Sequence, residues 1–537
     1  MTGHVFVRLF AVSAPFDGDT ASLVVLIGVC VALGLAIFAG FHASRAPVRA
    51  LRNAGSLAHR IPRPPDEGSI TDFVEAPPVD EPKSVRVLEI LILGLLCGYV
   101  FFDRAFAWIH VPGTPLFLGE LVIAVGVVVL LGMHTRIGDV VRTSGAMKVM
   151  LLFMAWGAIL LVGALPKWGE VAIRDAAVWY YGIVAVFVIV LIISDPRRIS
   201  SWLRLFGKII PWMLVWFPIA IVFDAAWIDR FPLIPDSNIP IVSHRTGNIA
   251  VMAAAGLGYL WLVDRDSEVF DRRQRLGLTM LATVVILFAA MRNRGGFLAA
   301  GLAVFIAFLF LRRERSSMAG IMVGVAVVLL AVGLFGSVRV QVFSEREVSV
   351  DQLMDNLVST VDPDAGGSRQ ESTTKWRLAI WGAVLDDVTN DYPIAGFGPG
   401  PDLGERYNIT GQAEEPLRSP HNSHVGVLAR MGFVGTALWA VFWMTWFVEM
   451  VDLRRRLNLS GRVREAGVAG WLVLTASAIL VNAIFDPALE GPQVAWWMWG
   501  FVGFGIALSV LERWDQLPAL SLTAQRSTDR SSVVAAP

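Results

Sequence analysis

Apolar runs of about 18 or more residues recur from one end of the chain to the other, each closed by a short polar or charged segment. A run of that length crosses a bilayer core of roughly 30 Å as a helix. We place the runs at about 21–41, 87–102, 116–133, 147–165, 176–194, 205–223, 248–263, 276–291, 296–311, 318–336, 433–451, 467–485 and 494–511. The two short ones, 87–102 and 248–263, extend into their flanks. The pattern predicts an all-α integral membrane protein with about 12 core transmembrane helices and one extra helix at the N-terminus.

Lys and Arg set the orientation. The segments 42–86, 134–148, 195–204, 264–275, 312–315 and 452–465 are basic, with Arg312, Arg313 and Arg315 in one and Arg454, Arg455 and Arg456 in another. Every second connection is basic, as one consistent topology requires, so these and the C-terminal tail are assigned to the cytoplasm. The connections 103–115, 166–175, 224–247, 292–295, 337–432 and 486–493 carry few cations and face outward, as does the N-terminus.

Composition then narrows the class. Hydrophobic residues make up 55% and charged residues 17%, against roughly 25% charge in soluble chains, and mean hydropathy is +0.61. A formal net charge of +0 gives no sign of a nucleic-acid partner. Cys30 and Cys97 both lie inside apolar runs, which argues against a disulfide framework or a cysteine-built metal site. The first residues lack the basic n-region and small-residue cleavage site of a removable signal peptide.

The expected organisation is an extra N-terminal span (1–41), a Pro-rich cytoplasmic linker (42–86), a first membrane part (87–336), a large extracytoplasmic loop carrying short helices (337–432), three last spans (433–511) and a disordered polar tail (512–537). No internal repeat is visible, which weakens a transporter of duplicated halves.

Chemistry is most plausible in the large loop. Its first part, SEREVSVDQLMDNLVSTVDPDAGG, is acidic and reads as mobile. TTKWRLAIWGAVLDDV reads as a helix capped by Thr373 or Thr374, with an apolar stripe of Trp376, Ile380, Ala383 and Val384, and with Arg377 and Trp381 on a neighbouring face. DYPIAGFGPGPDLG follows, a tight turn forced by Gly396, Gly398, Gly400 and the prolines; no Lys-Ser/Thr follows it, so it is not a nucleotide loop. SPHNSHVGVLARMGFVG then leads into the next span.

At these residues the chain resembles the O-antigen ligase and O-antigen polymerase superfamily of membrane glycosyltransferases. His421-Asn422, nine residues, then Gly432-Phe433-Val434-Gly435 match its H-N-x9-G-x2-G pattern. Arg377-x3-Trp381, with Pro393 and Gly396-Phe397-Gly398, is a second point of likeness. Arg294-Gly295-Gly296 is similar to the S/T-R-G element, with Asn293 in place of the hydroxyl residue. Arg245-Thr246-Gly247-Asn248 is similar to the R-x-G-x-x-x-x-P-N stretch but lacks its proline. The likeness covers roughly 87–511.

The resemblance implies transfer of a glycan from a polyisoprenyl diphosphate carrier to an acceptor hydroxyl, at the outer face of the cytoplasmic membrane, without metal, nucleotide sugar or other cofactor. The acceptor is a lipid, a glycan or a protein, and the chain touches membrane lipids but no nucleic acid. The residue types suit this. A guanidinium fork binds phosphate oxygens bidentately, which gives Arg294 and Arg377 the diphosphate with Arg245 as helper. A neutral imidazole accepts a proton as general base, which gives His421 the acceptor. Trp381, Asn422, Gly432, Gly435 and His424 are supporting residues.

Plainer readings stand beside these. His421 is also readable as a loop residue bonded to its own turn, Arg377 as an exposed cation paired with Asp386 or Asp387, and Arg292 and Arg294 as snorkelling anchors. Arg174 is readable as the partner of Asp175. Glu414 and Glu415 are alternative bases, more simply solvated loop acids. Trp439, Trp443 and Trp446, with Trp496, Trp497 and Trp499, read as interfacial belt rather than sugar platform. A polymerase of lipid-linked repeat units is the alternative within the same chemistry. A flippase or transporter of envelope lipids is the rival, and predicts charges near mid-span.

Overall fold

The computed structural model describes residues 82–111, 116–132, 136–226, 231–235, 237, 239–266, 268–311, 318–324, 340–342, 346–348, 368–407 and 418–522. The expected first span at 21–41, residues 42–81 of the linker, the end of the span at 318–336, Glu414, Glu415 and the tail beyond 522 lie outside the described residues.

The all-α membrane class is the one observed. The elements are α1 (Lys83–Ala107), α2 (Leu118–Leu131), α3 (Ile137–Thr143), α4 (Gly145–Trp168), α5 (Glu170–Asp175), α6 (Ala177–Tyr180), α7 (Gly182–Ser194) and α8 (Arg198–Ala226). Then come α9 (Thr246–Gly258), continued by a π-helical turn at Tyr259–Val263, α10 (Arg272–Arg292) and α11 (Arg294–Phe310). After these follow α12 (Ser368–Asn390), α13 (Leu403–Tyr407), α14 (Ser423–Leu459), α15 (Val463–Phe485) and α16 (Pro492–Arg513). Among the described residues nine helices are long and apolar enough to cross a membrane, and α2 and α11 are shorter apolar helices.

Helix starts follow local chemistry. Asp271 and Gln274 close a capping box on α10. Ser144 caps α4 by accepting from the Met147 N–H. Glu449 of α14 reinforces that cap: its Oε1 accepts the Gly145 and Ala146 N–H groups at 2.6 and 3.0 Å, and its Oε2 accepts the Ser144 hydroxyl at 2.9 Å. A carboxylate at a helix N-terminus satisfies orphan donors and faces the positive end of the dipole.

Glycines let three helices meet closely. A Cβ on Gly296 of α11 would lie 2.9 Å from the Gly247 Cα of α9, one on Gly295 would lie 2.5 Å from the Phe485 Cβ of α15, and one on Gly247 would lie 2.5 Å from Asn482 Oδ1. Small residues are what permit such backbone approach between membrane helices. The contact brings the start of α9, the start of α11 and the end of α15 to one end of the bundle.

Several expectations need correction. The tryptophans Trp439, Trp443, Trp446, Trp496, Trp497 and Trp499 are all buried rather than set in a belt. Trp439 packs on Trp443 and Trp499 with ring centroids 5.3 and 6.2 Å apart, joining α14 to α16. Helix α12 starts at Ser368, ahead of Thr373 and Thr374, because Arg369, Gln370 and Glu371 have good helix propensity and Gly367 is the first breaker upstream. β2 (Arg346–Val348), at the start of the acidic stretch, pairs antiparallel with β1 (Val340–Val342), just ahead of it. Residues 514–522 are not a loose tail. Arg462 donates to the Leu517 and Pro518 carbonyls at 3.0 and 2.7 Å, and Arg464 to the Leu520 carbonyl at 2.6 Å.

Candidate functional site

The loop helix α12 is seated by its apolar stripe. Ile380, Val384 and Val388 are fully buried against Leu403 and Ala429, with Trp376 and Trp381 packed alongside. Ala383, expected in the stripe, is not in that buried set. The turn after α12 then docks on α14 at a break in that helix. Gly396 and Gly432 both have φ near +64°, a region that glycine enters without steric cost. A Cβ on Gly432 would lie 2.4 Å from the Ile394 carbonyl oxygen, and one on Gly396 would lie 2.4 Å from that of Ala429. The Phe397 N–H donates to the Ala429 carbonyl at 2.7 Å, and the Phe433 N–H to the Pro393 carbonyl at 2.8 Å. Gly435 makes room for Met431 and Trp156, whose indole N–H donates to the Met431 carbonyl at 3.0 Å. The two motif glycines therefore fix how loop and span join.

An ion network pins the rest of the turn. Asp175, at the end of α5, accepts Arg418 and Arg430, each at 3.0 Å, and the Gly400 N–H at 2.9 Å. Arg418 also reaches Asp402 at 3.2 Å, and Arg430 the Pro401 carbonyl at 2.6 Å. Arg174, expected as the partner of Asp175, is exposed and takes no part in this network. The carboxylate turns to the loop because two guanidinium groups converge on it from α14 and the segment before it.

His421 sits at the head of α14 with φ 52°. A non-glycine residue there costs of order 1–3 kcal/mol and persists only where its surroundings hold it. The holding groups are identifiable. The Trp381 indole N–H donates to the Pro420 carbonyl at 2.8 Å. The Asn422 side chain caps α14, accepting the His424 and Val425 N–H groups at 2.9 and 3.2 Å. The Ser419 hydroxyl donates to Glu490 Oε2 at 2.7 Å. Trp376 meets the His421 ring edge to face with centroids 5.5 Å apart, and the Arg377 guanidinium lies 5.5 Å from the Trp376 ring centre.

Charged groups surround that imidazole. Arg245, the residue before α9, donates from Nη1 to Asp486 Oδ1 at 2.7 Å. Its backbone N–H donates to Asp103 Oδ2 at 2.6 Å, and Asp103 Oδ1 accepts from Asn248 at 3.0 Å. Arg294 is the first residue of α11, next to the glycine contact between α9 and α11. Asp486, Arg377 and Arg245 all act on the His421 ring. Burial is the largest influence and pushes its pKa down to about 4; Asp486 pulls it up, and Arg377 and Arg245 push it down. The ring is therefore neutral at physiological pH.

The remaining residues sort by contact. His424 is a structural clamp: Nδ1 accepts the Trp439 indole N–H at 3.1 Å, which leaves the Nε2–H to donate to the Leu480 carbonyl at 3.0 Å. One ring nitrogen braces α14 internally and the other ties α14 to α15. Arg292 donates to the Ile221 carbonyl at 3.2 Å. Asp387 is taken by Arg406 at 2.8 Å and Asp386 accepts from Asn390 at 3.1 Å. Sequence reasoning did not single out Asp486, Glu490, Ser419 or Asp103. The one available signal was that 486–493 is a short connection holding two carboxylates between apolar helices.

A family model described as O-antigen ligase matches residues 278–440, a stretch that runs from α10 through the loop into α14. No curated protein matches the chain.

Proposed function

We propose, from the match of residues 278–440 to a family model described as O-antigen ligase, that the chain transfers a glycan from a polyisoprenyl diphosphate carrier to an acceptor hydroxyl at the outer face of the cytoplasmic membrane. That match supports the coarse activity, glycan transfer in polysaccharide biosynthesis. What supports the finer reading is one juxtaposition: a buried, neutral His421 with Arg377, Arg245 and Asp486 around it at one end of the bundle.

In the proposed step the acceptor oxygen attacks the anomeric carbon of the donor sugar. The bond from that carbon to the diphosphate oxygen breaks, and the diphosphate leaves with the electron pair. His421 takes the hydroxyl proton. Arg294 and Arg377 hold the leaving diphosphate, with Arg245 as helper, because delocalised cations stabilise charge that develops on phosphate oxygens. The starts of α9 and α11 add the positive ends of two helix dipoles to the same region. Trp381 and Asn422 support the reading by holding the strap that carries the base.

The test is direct. Purified protein is incubated with a lipid-linked glycan and candidate lipid, glycan and protein acceptors, and released carrier diphosphate is measured. His421→Ala should lose about 10²–10⁴-fold in turnover, the range for a general base, while still binding the carrier. His421→Gln, which cannot take a proton at neutral pH, should lose as much. Wild-type turnover in His421→Gln would remove the general-base role.

A further inference from the structure

The connection between α15 and α16 sends one carboxylate, Asp486, toward Arg245 and His421, and a second, Glu490, behind the strap that carries His421. We propose that Glu490 is a positioning residue for the proposed transfer: by gripping Ser419 it holds the Ser419–Pro420–His421 strap in the conformation that turns the imidazole toward the arginines. The proposal rests on His421 being the base.

Three observations carry it. Glu490 Oε2 accepts the Ser419 hydroxyl at 2.7 Å, two positions before a residue held at φ 52°. Such a backbone needs its flanks fixed, and Pro420 is fixed by Trp381 while Asn422 and Ser423 are fixed in the cap of α14. Ser423 in turn accepts the Leu489 N–H at 3.2 Å, so the same short connection grips the strap from both sides of His421. Second, Glu490 Oε1 is buried without a hydrogen-bond partner, and a Cβ on Gly426 of α14 would lie 2.7 Å from it. That oxygen fills the space that the glycine leaves. Third, Arg430, Asp175 and Arg245 act on Glu490 from a distance, and among the described residues it makes no ion pair. Its hydrogen bond to the strap is then its main polar contact. Burial pushes the carboxyl up to about 7, against the Ser419 hydrogen bond and Arg430, which pull it down. Either protonation state still offers Ser419 an oxygen, so the grip survives titration.

The experiment uses the full chain in detergent and reads two quantities. The first is site-resolved carbethoxylation of His421 by diethyl pyrocarbonate, followed by mass spectrometry, with His110 as the internal reference. The second is kcat and donor KM for transfer. Glu490→Ala and Ser419→Ala should each raise the His421 labelling rate several-fold and lower kcat roughly tenfold to a hundredfold, the scale expected for a misplaced catalytic group, with donor KM unchanged. The double variant should be no worse than either single one, because both remove the same bond. Glu490→Gln keeps an oxygen for Ser419 and should restore both readouts to most of the wild-type value. Unchanged His421 labelling in Glu490→Ala overturns the proposal, as do additive losses in the double variant or failure of Glu490→Gln to rescue. Labelling is read without turnover, so a His421 that is not the base fails the earlier test and leaves this one intact.

Discussion

Acidification separates a buried base from an exposed one. Lowering an imidazole from its ordinary 6.5 to about 4 biases it against the charged ring by about 3 kcal/mol. At pH 5.5 an unperturbed histidine is only about 10% neutral, whereas one titrating at about 4 is still about 97% neutral. Only the neutral ring accepts a proton, so transfer should stay level from pH 8 to about 5.5 and fall as the pH drops through about 4. The assay is kcat/KM for a lipid-linked donor across that range, because kcat/KM reports the free enzyme. The causes of the shift give a second expectation. Arg377 and Arg245 push the ring down, and a bound diphosphate screens both, so the acid limb of kcat should lie above that of kcat/KM. Arg377→Ala should raise the kcat/KM limb for the same reason. An acid limb of kcat/KM near 6.5 refutes the argument, since it would mean that His421 is solvated in the free protein or is not the base.

The other expectations follow from contacts already described. Arg377→Lys and Arg294→Lys keep a charge but lose the fork, so each should weaken donor use nearly as much as alanine, by roughly tenfold to a hundredfold; full activity of both lysine variants would rule out bidentate binding. His424→Ala strands the Trp439 indole N–H and the Leu480 carbonyl, which should cost about 1–3 kcal/mol for each group left unmet, read as a lower thermal midpoint with kcat within a few-fold of wild type. Gly432→Ala combines a left-handed backbone with a clash against the Ile394 carbonyl, and should lower the yield of folded protein by more than the 1–2 kcal/mol of the backbone penalty alone; normal thermal stability would show that the loop does not dock there. A cysteine at the exposed Thr389 should react with an impermeant thiol reagent in intact cells, and one at Ser460 should not; the reverse pattern would turn the topology over.

What could be read from the chain and what could not divide along physical lines. Spans were legible because bilayer thickness fixes the length of an apolar run, and α4, expected at 147–165, is observed at Gly145–Trp168. His421, Asn422, Gly432 and Gly435 were legible as a unit because each acts on its own helix: one precedes the cap, one is the cap, one breaks the helix and one makes room beside it. Asp486 was not, since its partner Arg245 lies 241 positions away and no local pattern links an acid after one span to a cation before another. Asp175 was assigned to its neighbour Arg174 for want of any way to see Arg418, 243 positions on. The tryptophans were misplaced because hydropathy is blind to what an apolar side chain faces. Indoles packed between helices and indoles at the headgroups score alike.

The break at Gly432 has a mechanical side. Helix α14 runs for 37 residues, roughly 55 Å at 1.5 Å per residue, far more than the roughly 30 Å hydrocarbon core. A straight rod of that length would carry every tilt it takes in the bilayer directly to His421 at its tip, as a lever carries a small rotation to a large displacement. The left-handed glycine divides the rod. The segment 433–459 is seated in the bundle, by Trp439 on Trp499 and by Glu449 at the start of α4, while the lead segment 423–431 is joined to the loop through the Phe397 N–H on the Ala429 carbonyl and the Gly396 turn. Seating in the bundle and aiming of the imidazole are thereby given to two different lengths of one helix.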